Sequence, residues 1–328
     1  MRALLIAAGG GVGDAFMASI VARALREGYA TVDVLALPSH RSILQGNPDI
    51  AAVLDEADPE TLRTARYDAA VCTWATLENA LLPLQAGIPI RVGQSRRLYS
   101  FLFTERIRVR SELGDRETHW TQILLDYARA LGCETEDTQP RVALAEADRA
   151  EADRILAQAG VDGGGPFAIL HPTRGIANPQ RWPAEPFARL ARALVERYAL
   201  PLFVTGSPQD RPFVERLFAH ETEPTAIDLA GGTSLRSFTA LAERARFVVA
   251  MDSGPMHLAA STGTPTVGIF ALRSDEPRRW APLGPRTAVV RGTYPCPPNH
   301  RKETCPNFAC VSALEFAPIF EAVDRLTR

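Results

Sequence analysis

Six consecutive positions in the last third of the chain contain a carboxylate, a hydroxyl, a glycine and an imidazole: Asp252, Ser253, Gly254 and His257. They follow an apolar run, Phe247 to Val249, that reads as a buried strand, and Met256 to Ser261 reads as the opening of a helix. In a parallel α/β sheet, ligands sit outside the carboxyl ends of strands, against helix N-termini whose free N–H groups attract anions. The grouping therefore suits a phosphorylated ligand. Any one of these residues alone reads as a helix cap or a core histidine; four together read as a site.

A second candidate for chemistry is Asp14, in the segment AAGGGVGDAF from Ala7 to Phe16. The glycines invite a dinucleotide-binding reading, with Asp33 standing about 20 residues on as the acid for a ribose. The spacing fails at the third glycine, where Asp14 stands, because a carboxylate there repels a pyrophosphate. Asp14 is then either a helix cap or a base presented to a neutral hydroxyl. The local pattern leaves both open.

The elements that must position these residues alternate in type. The first half reads as strand Ala3 to Ala8, helix Ala15 to Glu27, strand Thr31 to Leu37, helix His40 to Gln45, strand Tyr67 to Thr73 and helix Thr121 to Leu131. After the break DGGGP (Asp162 to Pro166) the rhythm restarts at Phe167 to His171. Helix Pro186 to Tyr198, strand Leu202 to Thr205, helix Arg211 to Phe218, strand Ala226 to Leu229 and helix Leu235 to Arg244 follow, and Ala313 to Leu326 closes the chain. Alternation of this kind means parallel sheets covered by helices. The expected class is α/β, as two Rossmann-like domains, 1–155 and 156–328, facing across a cleft.

Composition fits an ordinary enzyme: 328 residues, 46% hydrophobic and 23% charged, with a net charge of -2. That charge gives no global pull toward nucleic acid. No apolar run is long enough to span a bilayer, and the N-terminal run is too interrupted for a signal peptide. Five cysteines, an odd number, fit a reducing compartment, so the cytoplasm is expected. Three of them, Cys296, Cys305 and Cys310, crowd a Pro-rich segment with His300. Together they are weak candidates for a tetrahedral metal site, since the spacing matches no common zinc pattern; a relic or redox-sensitive loop is the favoured reading.

Several segments, in order over nearly the whole chain, resemble glycosyltransferase family 9, the ADP-heptose:lipopolysaccharide heptosyltransferases. VGDAF (Val12 to Phe16) resembles a Leu-Gly-Asp motif, and LQGNPDIAAVLD and RVGQSRRLYSFLFTERI resemble the segments that follow it. HPTRGIANPQRWPAEPFARLARAL, FVTGSPQD, DLAGGTSL and DSGPMHLAASTGTPTVGIF continue the match, the last being the most specific.

The resemblance implies a GT-B fold and inverting transfer of a heptose-like sugar from a nucleotide-diphosphate donor to a lipopolysaccharide-core or related acceptor, without metal or cofactor. It implies Asp14 as general base. Thr173, Arg174, Gln180, Arg181, Gly206, Ser207, Asp210, Asp252, Ser253, Gly254 and His257 are implied on the donor side. Gln180 departs from the lysine usual there, so either Arg181 or Arg174 supplies the missing charge or the diphosphate is held less tightly. Gly13, Arg96 and Arg97 are expected to meet an anionic glycolipid acceptor, the arginines in a cluster with Arg91, Arg106, Arg108 and Arg110 opposed only by Glu105. Interleaved Leu98, Tyr99, Phe101, Leu102 and Phe103 are expected mostly in the core, with peripheral contact to the inner membrane as the other reading. Two rival functions share the fold: an epimerase-type nucleotide-sugar enzyme, which turns over donor alone, and a non-catalytic binding homologue.

Overall fold

The computed structural model describes residues 1–328 apart from 56, 162–164, 175–180, 221–225, 273 and 298–304. The chain divides into two compact units, Met1–Ala143 and Leu144–Arg328.

The first unit is a six-stranded parallel sheet of β1 (Arg2–Ala7), β2 (Thr31–Ala36), β3 (Ala52–Leu54), β4 (Ala69–Cys72), β5 (Ile90–Gln94) and β6 (Glu105–Ile107). Its order is β3-β2-β1-β4-β5-β6. Five α-helices connect and cover it: α1 (Val12–Leu25), α2 (Arg41–Leu44), α3 (Pro59–Ala65), α4 (Leu77–Gln85) and α5 (Trp120–Arg129). Central β1 and β4 are buried almost throughout, as strands with helices on both faces must be.

The second unit repeats the plan with β7 (Ala168–His171), β8 (Leu202–Val204), β9 (Ala226–Asp228), β10 (Phe247–Met251), β11 (Thr266–Phe270) and β12 (Thr287–Arg291). Its order, β12-β11-β10-β7-β8-β9, is the same topology read from the other edge. The helices are α6 (Glu146–Gln158), α7 (Glu185–Tyr198), α8 (Arg211–Ala219), α9 (Leu235–Arg244), α10 (Gly254–Ser261), α11 (Pro277–Trp280), α12 (Ala309–Ser312) and α13 (Ala317–Thr327). Strand order reverses between β1 and β4 in one unit and between β7 and β10 in the other. Those are the switch points where open α/β sheets bind ligands.

The α/β class with Rossmann-like sheets thus stands, with three differences of detail. First, α6 belongs to the second unit, tied to α9 by Arg236–Asp148 and to its end by Arg149–Glu243. The division therefore falls at Ala143/Leu144 rather than at 155/156. Second, the closing helix starts at Ala317 rather than Ala313, with Pro318 in its first turn, and the short α12 precedes it. Third, β3 and β6 are edge strands of three residues whose short, half-exposed runs carry little periodic signal.

Asp33 does not sit where a ribose-binding acid belongs. It is the third residue of β2, buried, and accepts from Arg2 at 2.9 Å and from the Tyr67 hydroxyl at 2.7 Å. The carboxylate raises the pKa of Arg2, and burial first and the carboxylate second raise that of Tyr67. Its lone pairs serve the amino-terminal half of the sheet, so the dinucleotide reading fails at both its glycine and its acid.

Candidate functional site

In the first unit, β1 runs into the glycine loop and α1. Asp14 lies in the first turn of α1 and accepts the Gly11 N–H at 2.8 Å, which secures one free donor of the helix. Gly10 has φ +69°, the left-handed region, and a Cβ there would press on Asp14 and Trp74. A Cβ on Gly9 would overlap the Trp74 indole. The glycines therefore admit an indole and a carboxylate, where a dinucleotide loop would admit a pyrophosphate. Trp74, just past β4, is 36% exposed. Asn79 joins the two loops, donating to the carbonyls of Ala8 and Trp74, both at 2.9 Å. The result is a cavity at the switch point lined by Ala7, Gly9, Asp14, Thr73, Trp74, Trp120 and Leu124. The cavity is small, and the carboxylate on its wall can take a proton from a hydroxyl presented to it.

In the second unit, the loop after β7 carries Thr173 and Arg174. Trp182 secures it by donating Nε1–H to the Pro172 carbonyl at 3.0 Å. The indole itself is buried against Phe187 and Phe308, at 6.0 and 5.1 Å between centroids. Arg181 next to it is exposed, and Gln180 lies outside the described residues.

Behind the loop runs a chain of hydrogen bonds. Thr173 donates to Asp210 at 3.1 Å, so His171 Nε2–H must donate to Thr173, 3.2 Å away, and His171 Nδ1 accepts from Thr205 at 3.0 Å. Burial pushes the His171 pKa down to about 4, so the ring is neutral and can play both parts. Asp210 also accepts from the backbone and hydroxyl of Ser207, at 2.8 and 2.7 Å. Gly206 permits this approach, since a Cβ there would stand 3.0 Å from the Asp210 Cβ. His171, the last residue of β7, and Thr205, just past β8, are not singled out in the sequence reading.

Arg174 brings the two loops of this switch point together. Its guanidinium donates to Asp275 at 2.7 Å and to Asp252, just past β10, at 3.2 Å. Asp275, likewise missed, also accepts the Leu272 N–H at 3.0 Å, which closes the turn before α11. Ser253 is the N-cap of α10, and its hydroxyl oxygen is buried without a protein hydrogen-bond partner among the described residues. Gly254 opens the helix, and His257 is buried one turn in. An unmatched hydroxyl, the N–H groups of a helix start and a guanidinium converge here. That set is chemically complementary to phosphate oxygens.

The arginine cluster is less free than its sequence suggests. Arg91 is spent on the carbonyls of Ile88 and Leu102, Arg110 pairs with Asp126, and Arg97 with Glu112. Leu98 and Phe101 are exposed, whereas Leu102 and Phe103 are buried and Tyr99 packs partly buried on the same core, so most of the five turn inward as expected. Cys305 and Cys310 are buried and Cys296 partly so, all as free thiols. Among the described residues no three His, Cys, Asp or Glu side chains are grouped to hold a metal; His300 lies outside them.

The family model of glycosyltransferase family 9 (heptosyltransferase) matches residues 59–308. Lipopolysaccharide heptosyltransferase 2 of Escherichia coli (strain K12) is 27% identical over 311 residues, 85% of each chain. The structure of E. coli ADP-heptose lps heptosyltransferase II superposes with a TM-score of 0.80 at 22% identity, covering 100% of this chain and 98% of that one. A family 9 glycosyltransferase from Veillonella parvula DSM 2008 gives 0.79 at 19%, covering 99% and 97%. The likeness extends over both sheets and supports the GT-B class.

Proposed function

The chain belongs to glycosyltransferase family 9, and on that premise we propose that it moves a heptose from ADP-heptose to a lipopolysaccharide-core acceptor, inverting the anomeric centre. The observation that carries this reading is Asp14, a carboxylate held by its own helix start in the aromatic-walled cavity at the first unit's switch point. The first unit takes the acceptor and the second the donor, as the resemblance implies. The heptosyltransferases among the similar proteins support the sugar and acceptor class.

In this mechanism Asp14 accepts the proton of the acceptor hydroxyl. The freed oxygen attacks the anomeric carbon on the face opposite the diphosphate. The carbon–oxygen bond to the β-phosphate breaks, and its electron pair leaves with ADP. Charge then accumulates on phosphate oxygens, where Arg174, the Ser253 hydroxyl and the N–H groups at the start of α10 stabilise it without a metal. Thr173, Ser207 and Asp210 shape the nucleoside side, Asp252 holds sugar hydroxyls, and His257 backs the diphosphate. Gly13, Arg96 and Arg97 face the acceptor. We assign the reaction to the cytoplasm, at the membrane surface that a glycolipid acceptor requires; the free thiols fit a reducing compartment.

The test is transfer of heptose from ADP-heptose to heptose-free core glycolipid in the presence of EDTA, beside calorimetric titration with ADP, UDP, GDP and CMP. Selective, EDTA-resistant ADP binding together with transfer is expected. A preference for another nucleotide would overturn the donor assignment, and turnover of donor alone would replace transfer by epimerisation.

A further inference from the structure

We propose that the turn around Leu98 and Phe101 is a docking surface for an anionic phospholipid bilayer, and that it sets the Asp14 cavity against the membrane. The proposal deepens the acceptor reading above and rests on it for its purpose. Leu98 is 99% exposed and Phe101 is 69% exposed. Single exposed apolar residues are ordinary on a protein surface, but here two stand within four positions on one turn.

The outward pose is built in. The Arg97 N–H donates to the Ser100 hydroxyl at 2.9 Å, which itself donates to the Gln94 carbonyl at 2.7 Å. Tyr99 and Leu102 turn inward onto the core of the first unit. With the turn pinned at Ser100 and anchored by its neighbours, Leu98 and Phe101 are left facing solvent.

The charge around the tip names the partner. Seven arginines stand against three acids between Arg91 and Arg116, in a chain whose net charge is -2. Arg97 and Arg110 are paired with Glu112 and Asp126, and the exposed Arg96, Arg106, Arg108 and Arg116 stand against Glu105 and Asp115. Arg96 and Arg106 donate to the carbonyls of Glu112 and Phe103, which leaves their charge in place. An apolar tip ringed by arginine matches an anionic interface, where the side chains enter the acyl boundary and the guanidiniums stay with phosphates.

The position supplies the reason. The Tyr99 hydroxyl donates to the Ala75 carbonyl at 2.7 Å, and Ala75 follows Trp74 of the cavity wall. Leu77, 51% exposed, opens α4 two residues further on. The docking turn is thus joined to the rim of the Asp14 cavity. A sugar anchored in the bilayer by its lipid would meet the base within reach of the surface.

The experiment is vesicle flotation of the full chain with phosphatidylcholine vesicles, with and without phosphatidylglycerol. Partition should be about tenfold or more stronger with phosphatidylglycerol and should fall with added salt. The L98S/F101S double variant should lose about tenfold in partition. Its urea midpoint and its rate on a delipidated core oligosaccharide should stay at wild-type values. Wild-type indifference to phosphatidylglycerol, equal partition by the variant, or self-association through this face without vesicle binding would each overturn the proposal. Flotation is read without turnover, so failure to transfer heptose to the soluble oligosaccharide would count against the proposed reaction alone.

Discussion

Arg174 and Asp275 form a buried ion pair, at 2.7 Å, between residues 101 positions apart in sequence, with side chains only 9% and 2% exposed. The same guanidinium reaches Asp252 at 3.2 Å. Desolvating such charges is costly, so the pair is poor evidence of a stability gain. Its consequence is geometric. Asp275 is fixed by the Leu272 N–H and aims the fork of Arg174 across the loop after β10.

Arg174→Lys keeps the charge and loses the fork. ADP affinity should fall about tenfold or more, because an ammonium cannot satisfy Asp275 and two phosphate oxygens with the same geometry. Calorimetry reads this directly. Wild-type affinity in the variant would remove Arg174 from the diphosphate site.

Asp14→Asn separates proton transfer from structure. The amide oxygen can still accept the Gly11 N–H, so α1 keeps its start, but the side chain no longer takes a proton at neutral pH. Transfer should fall by about 10²- to 10⁴-fold, the range for a lost general base. The ADP dissociation constant should stay within about twofold. Near-normal turnover would sink the assignment of the base.

Trp74 offers a flat apolar face beside that carboxylate. Trp74→Ala should raise the acceptor KM by about tenfold with a smaller change in kcat, while Trp74→Phe keeps a ring and recovers part of the loss. Gly9→Ala should act like the Trp74 truncation, since its methyl would displace the indole. Steady-state kinetics with varied acceptor decide the matter. An unchanged KM in Trp74→Ala would exclude the indole from acceptor binding.

His171 predicts a pH dependence of stability. Its folded pKa, held at about 4 by burial, lies below the usual value of 6.5. Between those limits the unfolded chain binds a proton that the folded protein refuses, so stability is lost as pH falls from 6.5 toward 4. The slope from this group is about 1.4 kcal/mol per pH unit. Urea midpoints for wild type and His171→Gln across this range should converge toward low pH. Parallel profiles would show that the imidazole titrates normally.

Much of this could be read locally. The helix over 235–244 follows its own periodicity and cap, and the strand-to-helix passage at Phe247–Ser261 reads directly as site architecture. Asp14 stood out because it breaks a glycine pattern. What remained hidden was pairing over distance. Asp33 has the spacing of a ribose acid, but Arg2 and Tyr67 occupy its carboxylate. Arg91 and Arg110 read as patch residues in sequence, but a carbonyl and a carboxylate engage them in the fold. Trp74 and Asp275 carry no motif at all.

By itself, then, the amino-acid sequence determined the alternation that makes two parallel sheets, the order of the family motifs, and the carboxylates of the loop-to-helix passages after β1 and β10. These depend on period and neighbour, which act within a few residues of chain. The tertiary structure alone decided which charges are spent, which aromatic ring walls the Asp14 cavity, and which apolar side chains face out at Leu98 and Phe101. Those outcomes depend on strand order, since the reversal between β1 and β4, and between β7 and β10, brings together loops that lie far apart in the chain.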